Sequence, residues 1–120
     1  MDAVTYSNPR TVEFVMDRMI PLRVSVSQDR VMATKFQIQY TPTIMTLDGD
    51  GKELHRGVGF YPPEEFVPML MLGIGKAYIN DKRYDKALKI LTKLVERYPT
   101  SQSAPSAASL KEMCLRRLPR

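Results

Sequence analysis

The chain has 120 residues, 43% of them hydrophobic, which suits one ordinary globular domain, or a small α/β unit with a helical extension, and excludes a collagen-like or disordered composition. One cysteine and one histidine exclude an intrachain disulfide and the common Cys/His zinc sites. The net charge of +5 is unevenly placed: residues 1–70 carry seven Lys and Arg against nine Asp and Glu, whereas residues 71–120 carry eleven against four.

The N-terminus shows no basic region followed by an apolar run, and no apolar stretch approaches the roughly 18 residues of a membrane span. We therefore predict a cytoplasmic protein without a membrane span. A periplasmic location stays open as an alternative if a signal segment precedes Met1.

The first third of the chain predicts a helix, a strand and a second helix. Asn8 and Pro9 suit the start of the first helix and Pro21 its end. The segment Leu22–Val26 alternates and is rich in β-branched residues, which predicts a strand, and Ser27 is expected to cap the next helix. The expected apolar positions are Val12, Val15, Met16, Met19 and Ile20 in the first helix, and Val31, Met32 and Phe36 in the second.

A β-hairpin is predicted from two β-type runs around a tight turn. The runs are residues 44–47 and 52–59, and the turn is the Asp/Gly tetrapeptide at 48–51. This tetrapeptide also resembles part of a calcium loop, but the twelve-residue ligand ladder and its closing Glu are missing. The turn interpretation is therefore favoured.

Residues 62–98 are predicted to be helical, with a break at residues 80–83. Inside a continuous helix Pro68 would cost about 3 kcal/mol, which predicts a kink or a fresh helix start. We accordingly place a domain boundary there, with one domain at 1–67 and another at 68–120. A further helix is expected from Ala104 to Leu118. The helix after the break carries an apolar face, comprising Tyr84, Ala87, Leu88, Leu91, Leu94, Val95 and Tyr98, and a cationic face, comprising Lys82, Lys86, Lys89, Lys93 and Arg97.

The order helix, strand, helix, hairpin, helix resembles the rear part of a thioredoxin-like domain over roughly residues 1–70. The stretch YTPTIMTLDGDGKELHRGVGF carries the likeness. The resemblance implies an α/β fold: an incomplete thioredoxin-like α/β sandwich, made of a βα unit and the β-hairpin. It also implies a cis peptide bond before Pro42 and a groove for a substrate or partner at Tyr40, Thr41, Pro42 and Gly59.

The Cys-x-x-Cys pair of that family, whose reactive thiolate performs its chemistry, is not in this sequence. By the resemblance, residues 1–4 look like the helix just beyond the pair. The chain is therefore expected to be redox-inactive as it stands, with a truncated domain.

Residues 74–99 resemble a tetratricopeptide repeat, whose pattern recurs every 34 residues. The matching positions are Ile74, Gly75, Tyr78, Ala87, Leu91, Leu94 and Pro99. Small residues at Gly75 and Ala87 would let two helices cross closely. The segment SAPSAASLKEM looks like the first helix of a further repeat, so the tail is expected to be a helical hairpin plus one helix.

In a thioredoxin-like sheet the strand before the cysteine pair lies between Leu22–Val26 and the hairpin. Its loss would leave two rows of unpaired backbone groups. We therefore expect one of three outcomes: a front segment elsewhere in the gene product, complementation by strands or helices in a homodimer, or a rearranged sheet.

These features favour a role in protein–protein interaction, with no catalytic residues, cofactor or metal. The partner itself is not identified by the sequence. The alternative is a fragment of a thiol-disulfide oxidoreductase whose Cys-x-x-Cys lies upstream of Met1. Cys114 is interpreted as a buried structural thiol and His55 as a packing or surface residue. The basic face lacks a nucleic-acid motif, so a solvated surface or an acidic protein partner is favoured over nucleic acid.

Overall fold

A computed structural model describes residues 2–25, 27–40 and 42–118 of the chain. A π-helical turn at Asp2–Tyr6 precedes five α-helices and a two-stranded sheet. The expected class, α/β with a helical extension, is confirmed. The elements in chain order are α1 (Pro9–Arg18), α2 (Arg30–Lys35), β1 (Thr43–Leu47), β2 (Glu53–Val58), α3 (Pro63–Asn80), α4 (Tyr84–Arg97) and α5 (Ala104–Arg117).

Helix α1 begins where the sequence predicts it. The Asn8 side chain accepts a hydrogen bond from the backbone N–H of Arg10 at 2.9 Å, and Pro9 occupies the first turn. The predicted apolar face is only partly used. Val15 and Met19 pack on α3, but Met16 is 66% exposed and Ile20 is 97% exposed.

The strand predicted at Leu22–Val26 is not formed by residues 22–25, which have no regular secondary structure, and Val26 lies outside the described residues. A strand requires a neighbouring strand to pair with its backbone, and none lies there among the described residues. Helix α2 is also shorter than predicted. Its cap is Asp29, whose Oδ1 accepts from the backbone N–H of Met32 at 3.0 Å, in place of Ser27.

The predicted hairpin is confirmed, because β1 and β2 pair antiparallel with Thr43 opposite Val58 and Thr46 opposite His55. Asp48 closes the turn: its Oδ1 accepts from the backbone N–H groups of Asp50 at 2.9 Å and Lys52 at 2.8 Å. Gly51 follows at φ 84°, a left-handed conformation that glycine adopts without strain. The turn interpretation of this tetrapeptide thus has a direct structural basis.

Helix α3 runs through Pro68 without the fresh start that the sequence suggested. Pro68 is fully buried, so packing of its ring offsets part of the cost of the lost hydrogen bond. The helix is buried on all sides along residues 66–73, as expected of a central helix.

Two hydrophobic clusters meet on α3. Phe66, Met69 and Leu70 face the hairpin side and α1, whereas Val67, Met71 and Leu72 face the helical tail. In the second cluster Leu91, Leu94, Ala107 and Cys114 are 0% exposed. The tail therefore packs on the same helix that supports the hairpin. The division into domains 1–67 and 68–120 remains a prediction.

Candidate protein-interaction surfaces

The loop before β1 lies beside the loop after β2. The backbone N–H of Gly59 donates to the carbonyl of Pro42 at 2.8 Å. The Thr43 hydroxyl donates to the carbonyl of Tyr40 at 2.6 Å, which fixes the approach to the strand. Three of the predicted groove residues, Tyr40, Pro42 and Gly59, are thus brought to one end of the hairpin, while Thr41 lies outside the described residues.

Two aromatic side chains are exposed at this end of the hairpin. Tyr40 is 69% exposed and Phe60, next to Gly59, is 57% exposed. Gly59 follows β2 and has a φ of 93°, a left-handed conformation that glycine adopts without strain. Exposed aromatic rings offer an apolar contact surface with a polar handle at the tyrosine hydroxyl, a combination that suits protein binding.

The cationic face predicted on the second tail helix is exposed, and four of its five members line one groove. Lys86, Lys89, Lys93 and Arg97 recur at spacings of three and four on α4 and all border the groove. Lys82 lies in the α3–α4 turn at φ 60° and does not line it.

This basic groove, defined by the residues that border it, lies between α1, α3 and α4 and has a volume of about 250 Å³. Val67 and Met71 of α3, 6% and 5% exposed, form its floor together with the half-buried Ile90 of α4. No residue of α5 borders it. The remaining bordering residues are Phe14, Arg18, Lys86, Lys89, Lys93, Arg97, Tyr78 and Tyr98.

Sequence analysis did not predict the two residues that α1 contributes to the basic groove. Arg18 lies over the Phe14 ring, 4.5 Å from its centroid, and both side chains come from α1. Their spacing of four predicts that they share a helix face. Which neighbour that face would meet depends on the docking of α1 against α3, for which the sequence carries no local signal.

None of the five cations that border the basic groove forms an ion pair with an Asp or Glu among the described residues. The ion pair of Arg56 with Glu53, at 2.7 Å, lies within the hairpin and away from the groove. No Asp or Glu borders the groove. Five positive charges and no carboxylate therefore border an apolar floor.

His55 in β2 has a partner that sequence spacing could not identify. Lys76 of α3 donates from Nζ to His55 Nδ1 at 3.0 Å, which places the imidazole proton on Nε2. Burial, followed by the positive charge of Lys76, lowers the pKa of His55 from 6.5. The contact joins the hairpin to α3, which agrees with the packing or surface role expected for His55.

Cys114 is 0% exposed within the cluster of α3, α4 and α5, and burial raises the pKa of its thiol. Its predicted buried position is confirmed. Over residues 2–25, 27–40 and 42–118, no cluster of three metal-ligating side chains is found. No helix in the same ranges is both long and apolar enough to cross a bilayer.

Comparison with known families agrees with both resemblances. The family model for the thioredoxin-like domain matches residues 3–73, and that for the tetratricopeptide repeat matches residues 70–101. The two matches overlap within α3, the helix shared by both hydrophobic clusters. No curated protein and no solved structure shows significant similarity to the chain.

Proposed function

Because the chain belongs to the thioredoxin-like domain family and continues into a tetratricopeptide repeat, we propose that it acts by binding protein partners and not by dithiol chemistry. The observation that carries the proposal is the basic groove, whose exposed cations have no acidic neighbours along its border. The single thiol of the chain is fully buried in the tail.

The proposal divides the work between two parts of the chain. Residues 1–67 supply the hairpin end with Tyr40, Thr41, Pro42 and Gly59, for which the family suggests a cis peptide bond before Pro42 and contact with a bound substrate or partner. Residues 68–120 supply the α4 cations. Helix α3 contributes residues to the hydrophobic clusters of both parts. A partner that binds either part therefore binds to a surface supported by α3.

The binding role is tested by panning a random peptide display library on the immobilised chain. We expect a recurrent peptide pattern whose binding is competed by the free protein. A library that yields no competed binder would contradict the proposal. In parallel, an insulin-reduction assay should stay at background for the chain and for Cys114→Ser, and turnover that depends on Cys114 would overturn the non-redox reading.

A second candidate is that the chain is part of a thiol-disulfide oxidoreductase whose Cys-x-x-Cys lies upstream of Met1. The exposure of Leu22 and Val24, at 80% and 41%, favours it, because these side chains of the predicted strand would suit burial in a complete sheet. Reading the coding DNA in frame upstream discriminates the two candidates. A frame encoding a strand and Cys-x-x-Cys supports the enzyme, and an in-frame stop supports the binding protein.

A homodimer is a further part of the proposal. The exposed apolar side chains of Ile20, Leu22 and Val24, which lie at and beside a segment without regular secondary structure, provide a surface for a second copy to cover. Gel filtration with light scattering measures this directly. We expect twice the chain mass, and a stable monomer would contradict the dimer.

A further inference from the structure

We propose that the basic groove between α1, α3 and α4 binds an acidic peptide segment that inserts an apolar side chain onto the groove floor. This inference rests on the proposed binding function and adds to it the site and the chemistry of the partner. The occupant is a segment of a partner protein with several Asp or Glu residues around one or two large apolar residues.

Charge complementarity is the first argument. The helix α4 contributes Lys86, Lys89, Lys93 and Arg97, and α1 contributes Arg18 from the opposite wall. No carboxylate borders the groove, so the positive potentials of both walls add. An acidic segment would gain attraction from both sides, while a basic segment would be repelled.

The apolar floor is the second argument, and it separates a peptide from a nucleic acid. The floor is made of Val67, Met71 and Ile90, which suit the burial of a leucine or phenylalanine side chain and not a phosphate. The Phe14 ring is covered by the Arg18 guanidinium, so it does not offer an open face for a base. A polyphosphate strand would use the cations and leave the floor unfilled.

The dimensions of the groove set the size of the occupant. From Lys86 to Arg97 the α4 wall rises about 16 Å at 1.5 Å per residue. An extended peptide covers that length with about five residues. The volume of about 250 Å³ is enough for one or two large side chains and too small for a whole helix.

The inference is tested with a fluorescein-labelled peptide of twelve residues, six acidic, with a central Phe–Leu pair. Fluorescence anisotropy is measured for this peptide, for the same peptide with Phe–Leu replaced by Ser–Ser, for a basic peptide with the Phe–Leu pair, and for a single-stranded oligonucleotide. We expect binding of the first peptide, affinity lowered at least about fivefold by Ser–Ser, and no binding of the basic peptide.

Charge-matched variants locate the site. Lys89→Gln/Lys93→Gln and Arg18→Gln should each weaken the acidic peptide, the first about fivefold to tenfold. The control Lys52→Gln/Arg116→Gln removes as many exposed charges outside the groove and should leave affinity within about twofold. Circular dichroism confirms that each variant is folded.

Several outcomes would overturn the inference. These are absence of acidic-peptide binding, an equal effect of groove and control variants, an oligonucleotide that binds as tightly as the peptide, or saturation of the groove by a second copy of the chain. The peptide display library distinguishes failure of this inference from failure of the proposed binding function. Competed binders that are neutral or basic would leave the binding role standing and remove the acidic groove, whereas an absence of binders would remove both.

Discussion

The side chain of Thr46 in β1 occupies the space that a Cβ atom on Gly73 of α3 would need. From the ideal Cβ position of Gly73, the Thr46 Cβ lies at 3.1 Å and its Cγ2 at 3.4 Å, and the Oγ1 atom is closer still. Thr46 is 7% exposed, and its Oγ1 has no hydrogen-bond partner among the described residues. The hairpin therefore contacts α3 at a point where neither side can yield easily.

Gly73→Ala is expected to destabilise the protein by about 1–3 kcal/mol, because the new methyl group overlaps a buried threonine. The sign of the change in the free energy of unfolding distinguishes the two effects. Without the overlap, the higher helix propensity of alanine would stabilise the protein by about 1 kcal/mol. Adding Thr46→Ala should relieve the overlap, so a double-mutant cycle should give a coupling of about 1 kcal/mol or more. Urea unfolding measures all four proteins.

A matched control is Gly49→Ala in the hairpin turn, where no atom lies within 4 Å of the ideal Cβ position. We expect its free energy of unfolding to change by less than about 0.5 kcal/mol. Additive effects of Gly73→Ala and Thr46→Ala would contradict the overlap.

The second close approach joins α3 to α4. An ideal Cβ on Gly75 would lie 2.7 Å from Leu91 Cδ2 and 3.1 Å from its Cγ, and Leu91 is 0% exposed. Gly75→Ala should therefore separate the two helices and cost about 1–3 kcal/mol. Hydrogen exchange should become faster in α4, as measured by mass spectrometry. Unchanged protection in α4 together with raised stability would mean that the helices adjust freely.

The sequence predicted these local features better than it predicted the docking of the front part. Gly75 was identified as a crossing point because the repeat pattern lies within one helical hairpin. The hairpin turn was found because Asp48 and its glycines act within a few residues. Both follow from short-range backbone chemistry, which one sequence displays directly.

The features that the sequence did not predict depend on residues that are distant from each other in the chain. Leu22–Val26 has a strand composition, but a strand forms only with a partner strand, and residues 22–25 are exposed and have no regular secondary structure. Lys76 meets His55 across 21 positions, and Arg18 joins the α4 cations through the docking of α1. No local periodicity predicts such meetings.

The pH dependence of stability should carry a signature of His55. Its pKa is lowered from 6.5 in the folded protein by burial and by Lys76. Below about pH 6.5 the unfolded chain therefore binds more protons than the folded one, so the free energy of unfolding falls as pH falls through this value and is retained above it. Urea unfolding at pH 7.5 and pH 5.5 should show a smaller loss for His55→Gln than for the unaltered protein.

The same shift is measurable by NMR, because the chain has one histidine and gives one imidazole titration. Lys76→Met should move the pKa of His55 upward, since a positive neighbour disfavours protonation. A pKa of His55 at or above 6.5 in the unaltered protein would contradict the half-buried Lys76–His55 contact. Lys52→Met, a change at an exposed lysine of the hairpin, serves as the control for a general loss of charge.

Thiol chemistry provides the last prediction, which tests whether Cys114 is inaccessible in the folded chain. Cys114 is 0% exposed and burial raises the pKa of its thiol, so the folded chain presents little thiolate. Alkylation by iodoacetamide at pH 7.5 should be slow in buffer and at least about tenfold faster in denaturing urea. Cys114→Ala should keep the fold at a cost of about 1 kcal/mol, while Cys114→Ser should cost more because its hydroxyl is buried. Rapid alkylation of the folded chain would contradict this prediction. It would show that the cluster of α3, α4 and α5 opens readily and exposes the thiol to solvent.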